Sequence, residues 1–396
     1  MLRSRSTYRA HALSGFTLVE LLVATAIALA LMLFVATIFS VFGQAVGEAQ
    51  DVLRLHDQMR SAAWSLRQDL SGITCPVQPW GRPEADSGYF ELIEGPQNDY
   101  AGLHGTNTLV SDVDDVLMFT TQQGSGNFVG QLYGKPIESP VAEVAWFCVQ
   151  GTDTVDNQPI YNLHRRRLLA RSYIGTSTTL AAGYDMVSGT IPAIYQSADL
   201  SLRNVAGQLL PNGLSDLTKR ENRFCHATVF PHAVTNHQTN GILTSGEDVI
   251  LNNVIAFDVR VFDPQQSPPS YVDLGGPVDP DGPGPLLGFP QPATALTSDP
   301  MDPVPANPSL QWSTPTYCTW SEHYEANGQN EDGDVVTDEG TNGSDDSGDG
   351  VADDPSELET APPYNVPLRA IEIRIRCIEP KSKQIRQITV RHSFPQ

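Results

Sequence analysis

The chain has 396 residues, a formal net charge of −22 at pH 7 and only 18% charged residues. It is long enough to bury a substantial hydrophobic core, and its 32 glycines and 30 prolines indicate many turns and loops. The acidic balance argues against a nucleic-acid-binding protein, because phosphate backbones are bound mainly through Lys and Arg.

The N-terminal segment is basic and leads into a long apolar run. Residues 1–15, MLRSRSTYRAHALSG, carry three arginines and no acid, and after Glu20 no charged residue occurs before Glu48. The 23 positions 21–43 are long enough to cross a bilayer as a helix. The basic flank predicts that the N-terminus stays in the cytoplasm while the rest of the chain is periplasmic or extracellular.

The position of Gly15 separates this segment from an ordinary secretory signal, whose small-residue cleavage site follows the apolar core. Here the glycine precedes the apolar run, in the stretch GFTLVE at 15–20. This order resembles the prepilin signal of type IV pilins and type II secretion pseudopilins. The resemblance implies cleavage between Gly15 and Phe16 by a prepilin peptidase, N-methylation of Phe16 and a single-pass location in the inner membrane.

Glu20 is an acid at membrane depth, where a charged side chain costs at least about 3 kcal/mol and persists only with a partner or a function. The prepilin resemblance implies a role in assembly, in which Glu20 pairs with the ammonium group of Phe16 in another pilin or pseudopilin subunit. The alternative is a signal-anchored monomer whose Glu20 reaches the cytoplasmic headgroups.

Apolar residues continue through 44–72 at spacings of mostly three and four, which predicts an amphipathic helix that stops at Gly72. The spaced residues are Val46, Ala49, Val52, Leu53, Met59, Ala63, Leu66 and Leu70. The sequence therefore predicts one long helix, with 16–43 in the membrane and 44–72 packed on a globular head.

Residues 73–396 show mainly extended patterns, which predict a β-rich head and an α+β fold with the helix on a mainly antiparallel sheet. Strands are predicted at 114–121, 141–150, 161–172, 248–263, 368–380 and 384–394. Their order resembles the minor pseudopilin J of type II secretion and the PilW-type minor pilins. This second resemblance implies a minor, low-copy filament subunit.

Two long insertions interrupt the predicted head, a proline-rich segment at 264–310 and an acidic loop at 325–360. The first holds 13 prolines, a composition that cannot sustain central strands. Within the second, residues 331–359 hold 12 Asp or Glu and no Lys or Arg. The loop also repeats itself, because 331–339 is echoed by 346–354 at a spacing of 15.

The second copy of this repeat matches the first half of a calcium-binding loop. The predicted ligands, at loop positions 1, 3, 5, 7 and 9, are Asp345, Ser347, Asp349, the carbonyl of Val351 and Asp353. Ser356 stands at position 12, where a bidentate acid belongs, and Glu357 follows it. Oxygen donors without His or Cys favour a structural Ca²⁺. The alternative is a solvated acidic loop without an ion.

No catalytic constellation occurs in the sequence, since the HExxH, GxSxG and phosphate-loop motifs are all missing. We therefore expect a protein that is not an enzyme. A second hypothesis is an adhesin or ligand-binding module on a pilin stem, with the proline-rich and acidic loops as its binding surface. The five cysteines contain no CxxC pair and could form one or two disulfides in an exported head, with a pairing that the sequence leaves open.

Overall fold

The computed structural model describes residues 17–95, 109–171, 198–205, 208–223, 247–275, 288–289, 315–330 and 335–395. The chain divides into two compact units, Met1–Arg54 and Leu55–Gln396. One long helix, α1 (Leu18–Ser71), belongs to both. The second unit, called the head below, is built on a large antiparallel sheet. The predicted α+β layout, one long apolar N-terminal helix and a mainly antiparallel sheet, is thus confirmed.

The N-terminal part of α1 has the character of a membrane-spanning segment. It is long and apolar enough to cross a bilayer, and none of its most apolar stretch is buried. The hydroxyls of Thr25 and Thr37 donate to the carbonyls of Leu22 and Leu33 at 2.9 and 2.8 Å. Both hydroxyl protons are therefore satisfied within the helix, as an apolar surrounding requires.

The buried face of α1 begins at Leu55, where the head begins. The buried apolar residues recur at spacings of three and four along one face, and they are Leu55, Met59, Ala62, Ala63, Leu66 and Leu70. Val46 and Leu53, which belong to the same predicted apolar face, are exposed. The periodic pattern is thus continuous in sequence, but only its C-terminal half belongs to the core of the head.

α1 ends at Ser71, directly before the predicted stop at Gly72. A Cβ at position 72 would overlap the backbone oxygen of Gln122 and the hydroxyl of Thr121, so this close approach requires glycine. The Gln122 N–H donates to the Gly72 carbonyl at 2.7 Å. The end of the helix is therefore held directly by the second strand of the sheet.

In the described part of the chain the head contains 13 strands and one short helix. The strands are β1 (Phe90–Ile93), β2 (Val116–Gln122), β3 (Phe128–Leu132), β4 (Lys135–Ser139), β5 (Val141–Val155), β6 (Gln158–Ala170), β7 (Leu202–Val205), β8 (Gln208–Pro211), β9 (Glu247–Asp263), β10 (Ser270–Val272), β11 (Thr316–Cys318), β12 (Ala370–Ile378) and β13 (Ile385–Ser393). The short helix is α2 (Leu214–Leu217), and 3-10 turns occur at Pro83–Ala85, Arg220–Asn222, Glu322–Glu325 and Glu339–Thr341.

Nine of these described strands form one sheet in the order β11-β1-β2-β5-β6-β9-β12-β13, with β10 paired to β9. Two small hairpins, β3–β4 and β7–β8, stand apart from it. The predicted hairpins β5–β6 and β12–β13 are present, and the segment predicted at 248–263 is the single strand β9. β2 begins at Val116 rather than at 114, and the two aspartates before it, Asp114 and Asp115, are buried.

A buried ion pair fastens the last turns of α1 to the sheet. Asp69 accepts hydrogen bonds from Arg165 at 2.8 and 2.5 Å and from the indole N–H of Trp146 at 3.0 Å. The Arg165 guanidinium also lies 5.8 Å from the centre of the Trp146 ring. Three side chains from α1, β5 and β6 thus fix one another in the core.

The described cysteines are all free thiols, so the structure shows no disulfide among the residues that it describes. They are Cys75, Cys148, Cys318 and Cys377, and all four are buried. Cys225 lies outside the described residues, as does most of the proline-rich insertion at 264–310.

Candidate functional site

The first described residues place Glu20 in a helix cap. Its Oε2 accepts hydrogen bonds from the backbone N–H and from the hydroxyl of Thr17, both at 2.9 Å. The Thr17 hydroxyl in turn accepts from the Glu20 N–H at 3.3 Å. This reciprocal arrangement is a capping box, which the pattern Thr-x-x-Glu could have indicated. The predicted processing residues Gly15 and Phe16 lie outside the described residues.

The cap leaves the Glu20 carboxylate accessible. The side chain is exposed in the first turn of α1, where a negative charge is also favoured by the helix dipole. Both hydrogen bonds from Thr17 reach the same oxygen, and a carboxylate has lone pairs for further donors. A cation of another chain can therefore bind Glu20 without disrupting the cap.

The acidic loop folds tightly around Asp345, the first predicted calcium ligand. The Asp345 carboxylate accepts the backbone N–H groups of Gly348, Asp349 and Gly350 at 2.6, 3.1 and 2.7 Å. The Asp349 carboxylate accepts the N–H of Val351 at 2.8 Å. Positions 1, 4, 5, 6 and 7 of the predicted loop are therefore joined by hydrogen bonds within the loop.

The 15-residue repeat in the sequence is also a repeat in the structure. Gly328, three residues before the first copy, donates its N–H to the Asp338 carboxylate at 3.0 Å. Gly343, three residues before the second copy, donates its N–H to the Asp353 carboxylate at 2.8 Å. Both aspartates adopt the left-handed conformation, with φ of 55° and 52°. At these described positions the two copies therefore share one contact and one backbone conformation. Residues 331–334 of the first copy lie outside the described residues.

Glu357, one place beyond position 12, reaches back over the second loop. Its Oε1 accepts the N–H groups of Asp346 and Ser347 at 2.7 and 2.9 Å, and its Oε2 accepts that of Asp354 at 3.1 Å. The hydrogen bond from Ser347, followed by those from Asp354 and Asp346, lowers the pKa of Glu357. Glu357 therefore closes the loop as a carboxylate, although it stands out of register for the bidentate position.

The five predicted ligands lie in one loop, but they are not assembled into a cage. Among the described residues, no three carboxylates of this loop have oxygens within 4.8 Å of one another. The donor set of carboxylate, hydroxyl and carbonyl oxygens suits Ca²⁺ in kind. Binding would require Asp345, Asp349 and Asp353 to converge from these positions.

A different acidic cluster, which the sequence reasoning missed, is already assembled inside the head. Glu94, Asp112 and Asp115 are buried, and each contributes a carboxylate oxygen to a group whose members all lie within 4.8 Å. The signal in the sequence was the acidic run SDVDD at 111–115, directly before a strong strand pattern. Only the pairing of β1 with β2, which is not local in sequence, brings Glu94 to this run.

Burial dominates the electrostatics of this cluster. It raises the pKa values of Glu94, Asp112 and Asp115 well above their ordinary values, and neighbouring carboxylates raise them further. Asp115, Asp273 and Asp258 act on the pKa of Glu94 in this way. The cluster thus concentrates carboxyl groups in the interior of the head, where their ionised forms repel one another.

Comparison of the chain with protein-family models, with curated proteins and with solved structures finds no match.

Proposed function

We propose that the chain is a structural minor pilin or pseudopilin subunit. A prepilin peptidase removes residues 1–15 and methylates Phe16, and residues 16–43 hold the subunit in the inner membrane with the head periplasmic or extracellular. The subunit then joins other pilin or pseudopilin subunits in a type II secretion pseudopilus or a type IV pilus-like filament. It has no enzymatic activity of its own.

One observation carries this proposal: a single exposed acid, Glu20, caps the start of an unburied apolar helical stretch. The cap itself needs only Thr17, and many residues could cap a helix without placing a carboxylate at membrane depth. The combination of Gly15, Phe16 and Glu20 after a basic leader supports a role beyond capping. In the proposed filament, the ammonium group of a neighbouring subunit's Phe16 neutralises the Glu20 carboxylate and sets the register of assembly.

Glu20→Gln is expected to abolish incorporation of the protein into filaments while leaving processing intact. The glutamine keeps the size and one acceptor oxygen, so the cap survives, but it cannot neutralise an ammonium group. The measurement compares the sheared filament fraction with the membrane fraction by immunoblot. We expect at least a tenfold loss from filaments, which corresponds to about 1.4 kcal/mol.

Glu48→Gln is the matched control, because Glu48 is an exposed acid of the same helix, beyond the apolar run. It should leave the filament fraction unchanged. Equal incorporation of Glu20→Gln and the unaltered protein would contradict the assembly role and would favour the signal-anchored monomer.

The second candidate function is a ligand-binding module on a pilin stem, and the doubled acidic loop is the observation that favours it. The loop repeats one contact at an exposed surface, and calcium bound at Asp345, Ser347, Asp349, the Val351 carbonyl and Asp353 would order its second copy. Calcium-dependent binding of the purified protein to a surface or glycan would support this function.

Calcium is expected to protect the acidic loop from proteolysis, because binding draws its carboxylates together and restricts the backbone. The measurement is the rate of cleavage within 335–360 with calcium and with a chelator. The variant Asp345→Asn/Asp349→Asn should lose the protection, while Asp153→Asn, which removes an exposed acid in the β5–β6 hairpin, should keep it. Cleavage at the same rate with and without calcium would leave the solvated acidic loop as the correct description.

A further inference from the structure

The topology of the sheet gathers three acids at one end of β1 and β2. Because these strands are antiparallel, Ile93 at the end of β1 lies opposite Val116 at the start of β2. Glu94 follows the first and Asp115 precedes the second, so the two acids meet just beyond the pairing. Asp112, three residues earlier, joins them.

Asp115 ties the cluster to two parts of the sheet. Its Oδ2 accepts the N–H of Val259 in β9 at 2.6 Å, and its Oδ1 accepts the N–H of Gly95 at 3.4 Å. Glu94 accepts the N–H of Leu274 at 3.3 Å. The carboxylates of Asp115 and Glu94 are therefore held by the backbone of separate segments.

One oxygen of the cluster has no partner. Asp112 is 1% exposed, and its Oδ1 accepts only a long hydrogen bond of 3.4 Å from the Asp114 N–H. Its Oδ2 is buried and accepts no hydrogen bond from the described residues. A buried carboxylate oxygen without a donor costs free energy that the fold must recover elsewhere.

Among the residues that the structure describes, no Lys or Arg neutralises these acids. In the described part of the chain, Glu94, Asp112 and Asp115 form no ion pair with Lys or Arg. Two arginines of the neighbouring strands pair with other acids, Arg260 with Asp273 at 2.8 Å and Arg374 with Glu372 at 2.7 Å. Beyond residue 16, the segments outside the described residues contain no Lys or Arg, although they contain four histidines.

From this geometry we propose that Glu94, Asp112 and Asp115 bind a divalent cation, Ca²⁺, inside the head. Three carboxylate oxygens form a hard-oxygen donor set of the kind that Ca²⁺ prefers. Two ligands of one Ca²⁺, each at about 2.4 Å, stand at most about 4.8 Å apart, and the three carboxylate oxygens lie within that distance of one another. The ion cross-links the end of β1, the segment before β2 and, through Asp115, strand β9. This site is distinct from the acidic loop and independent of the proposed filament function.

The competing description is a cluster neutralised by protons, and one substitution separates the two. In Asp112→Asn the amide donates to the remaining carboxylates, as a protonated Asp112 would. If protons alone neutralise the cluster, the variant should have a Tm equal to or above that of the unaltered protein, and calcium should change the Tm of neither protein. With a bound ion, calcium should stabilise the unaltered protein and not the variant.

The test measures thermal unfolding of the full-length chain in detergent, once with a chelator and once with excess calcium. We expect calcium to raise Tm by roughly 5 °C when its concentration is 100 times Kd. Asp112→Asn should lose this shift, while its Tm in chelator is not lower than that of the unaltered protein. The loop variant Asp345→Asn/Asp349→Asn is the matched control and should keep the shift.

A second readout is the number of calcium ions bound per chain, measured by elemental analysis of the desalted loop variant. This readout needs no substitution in the cluster. About one ion per chain is expected. A loop variant that retains no calcium and shows no shift in Tm would overturn the proposal, as would an Asp112→Asn protein that responds to calcium like the unaltered chain. If Asp112→Asn does not fold, Glu94→Gln takes its place in the same comparison.

Discussion

Glu91→Gln is expected to lower the free energy of unfolding of the head by about 3–5 kcal/mol, because it leaves two buried guanidinium groups without their counter-charge. Glu91 lies in β1 and accepts hydrogen bonds from Arg220 at 2.6 Å and from Arg223 at 2.7 Å. All three side chains are buried. The triad joins the sheet to the segment around the 3-10 turn Arg220–Asn222.

Burial on its own would raise the pKa of Glu91, but Arg220 and Arg223 outweigh it and hold the pKa below its ordinary value. A group whose pKa is lowered by folding stabilises the fold above its unfolded pKa, and the contribution is lost as the pH falls through the folded pKa. The difference in stability between the unaltered protein and Glu91→Gln should therefore be complete at neutral pH and shrink in acid below about pH 4.5.

Denaturant unfolding of the full-length chain in detergent measures this difference. Asp156→Asn is the matched control, because Asp156 pairs with Lys383 at 2.6 Å while both side chains are more than half exposed. An exposed pair contributes at most about 1 kcal/mol. Equal effects of the two substitutions would contradict the buried triad as a main support of the head.

The second large effect concerns processing. Gly15→Val is expected to leave residues 1–15 on the chain, because the added side chain would occupy the position that a prepilin peptidase requires to be small. Intact mass of the membrane-extracted protein measures the outcome. Ser14→Val, which also places a valine beside the cleavage position, should be processed normally. A Gly15→Val protein with the same mass as the unaltered one would show that no cleavage depends on this glycine.

The elements with strong local periodicity could be predicted from the sequence. α1 follows from apolar spacing and its stop at Gly72, and β5, β6, β9, β12 and β13 follow from extended apolar runs. β1 and β11 could not be predicted in this way, because each is only a few residues long. They become strands by pairing with each other, although more than 200 residues separate them.

The same limit applies to the sites. The acidic repeat at 325–360 is local, so the sequence could indicate the repeat and the tight turn at Gly350, whose N–H donates to Asp345. The buried trio of Glu94, Asp112 and Asp115 depends on strand pairing, and the triad of Glu91, Arg220 and Arg223 depends on packing between distant segments. Periodicity describes one face of one element, so it cannot indicate which charged side chains meet in the interior.

The most direct test of the proposed function is the N-terminal residue and intact mass of the unaltered protein purified from membranes. We predict a chain that begins at Phe16 and carries one added methyl group. A chain that still begins at Met1 would contradict prepilin processing and would leave α1 as an ordinary signal anchor.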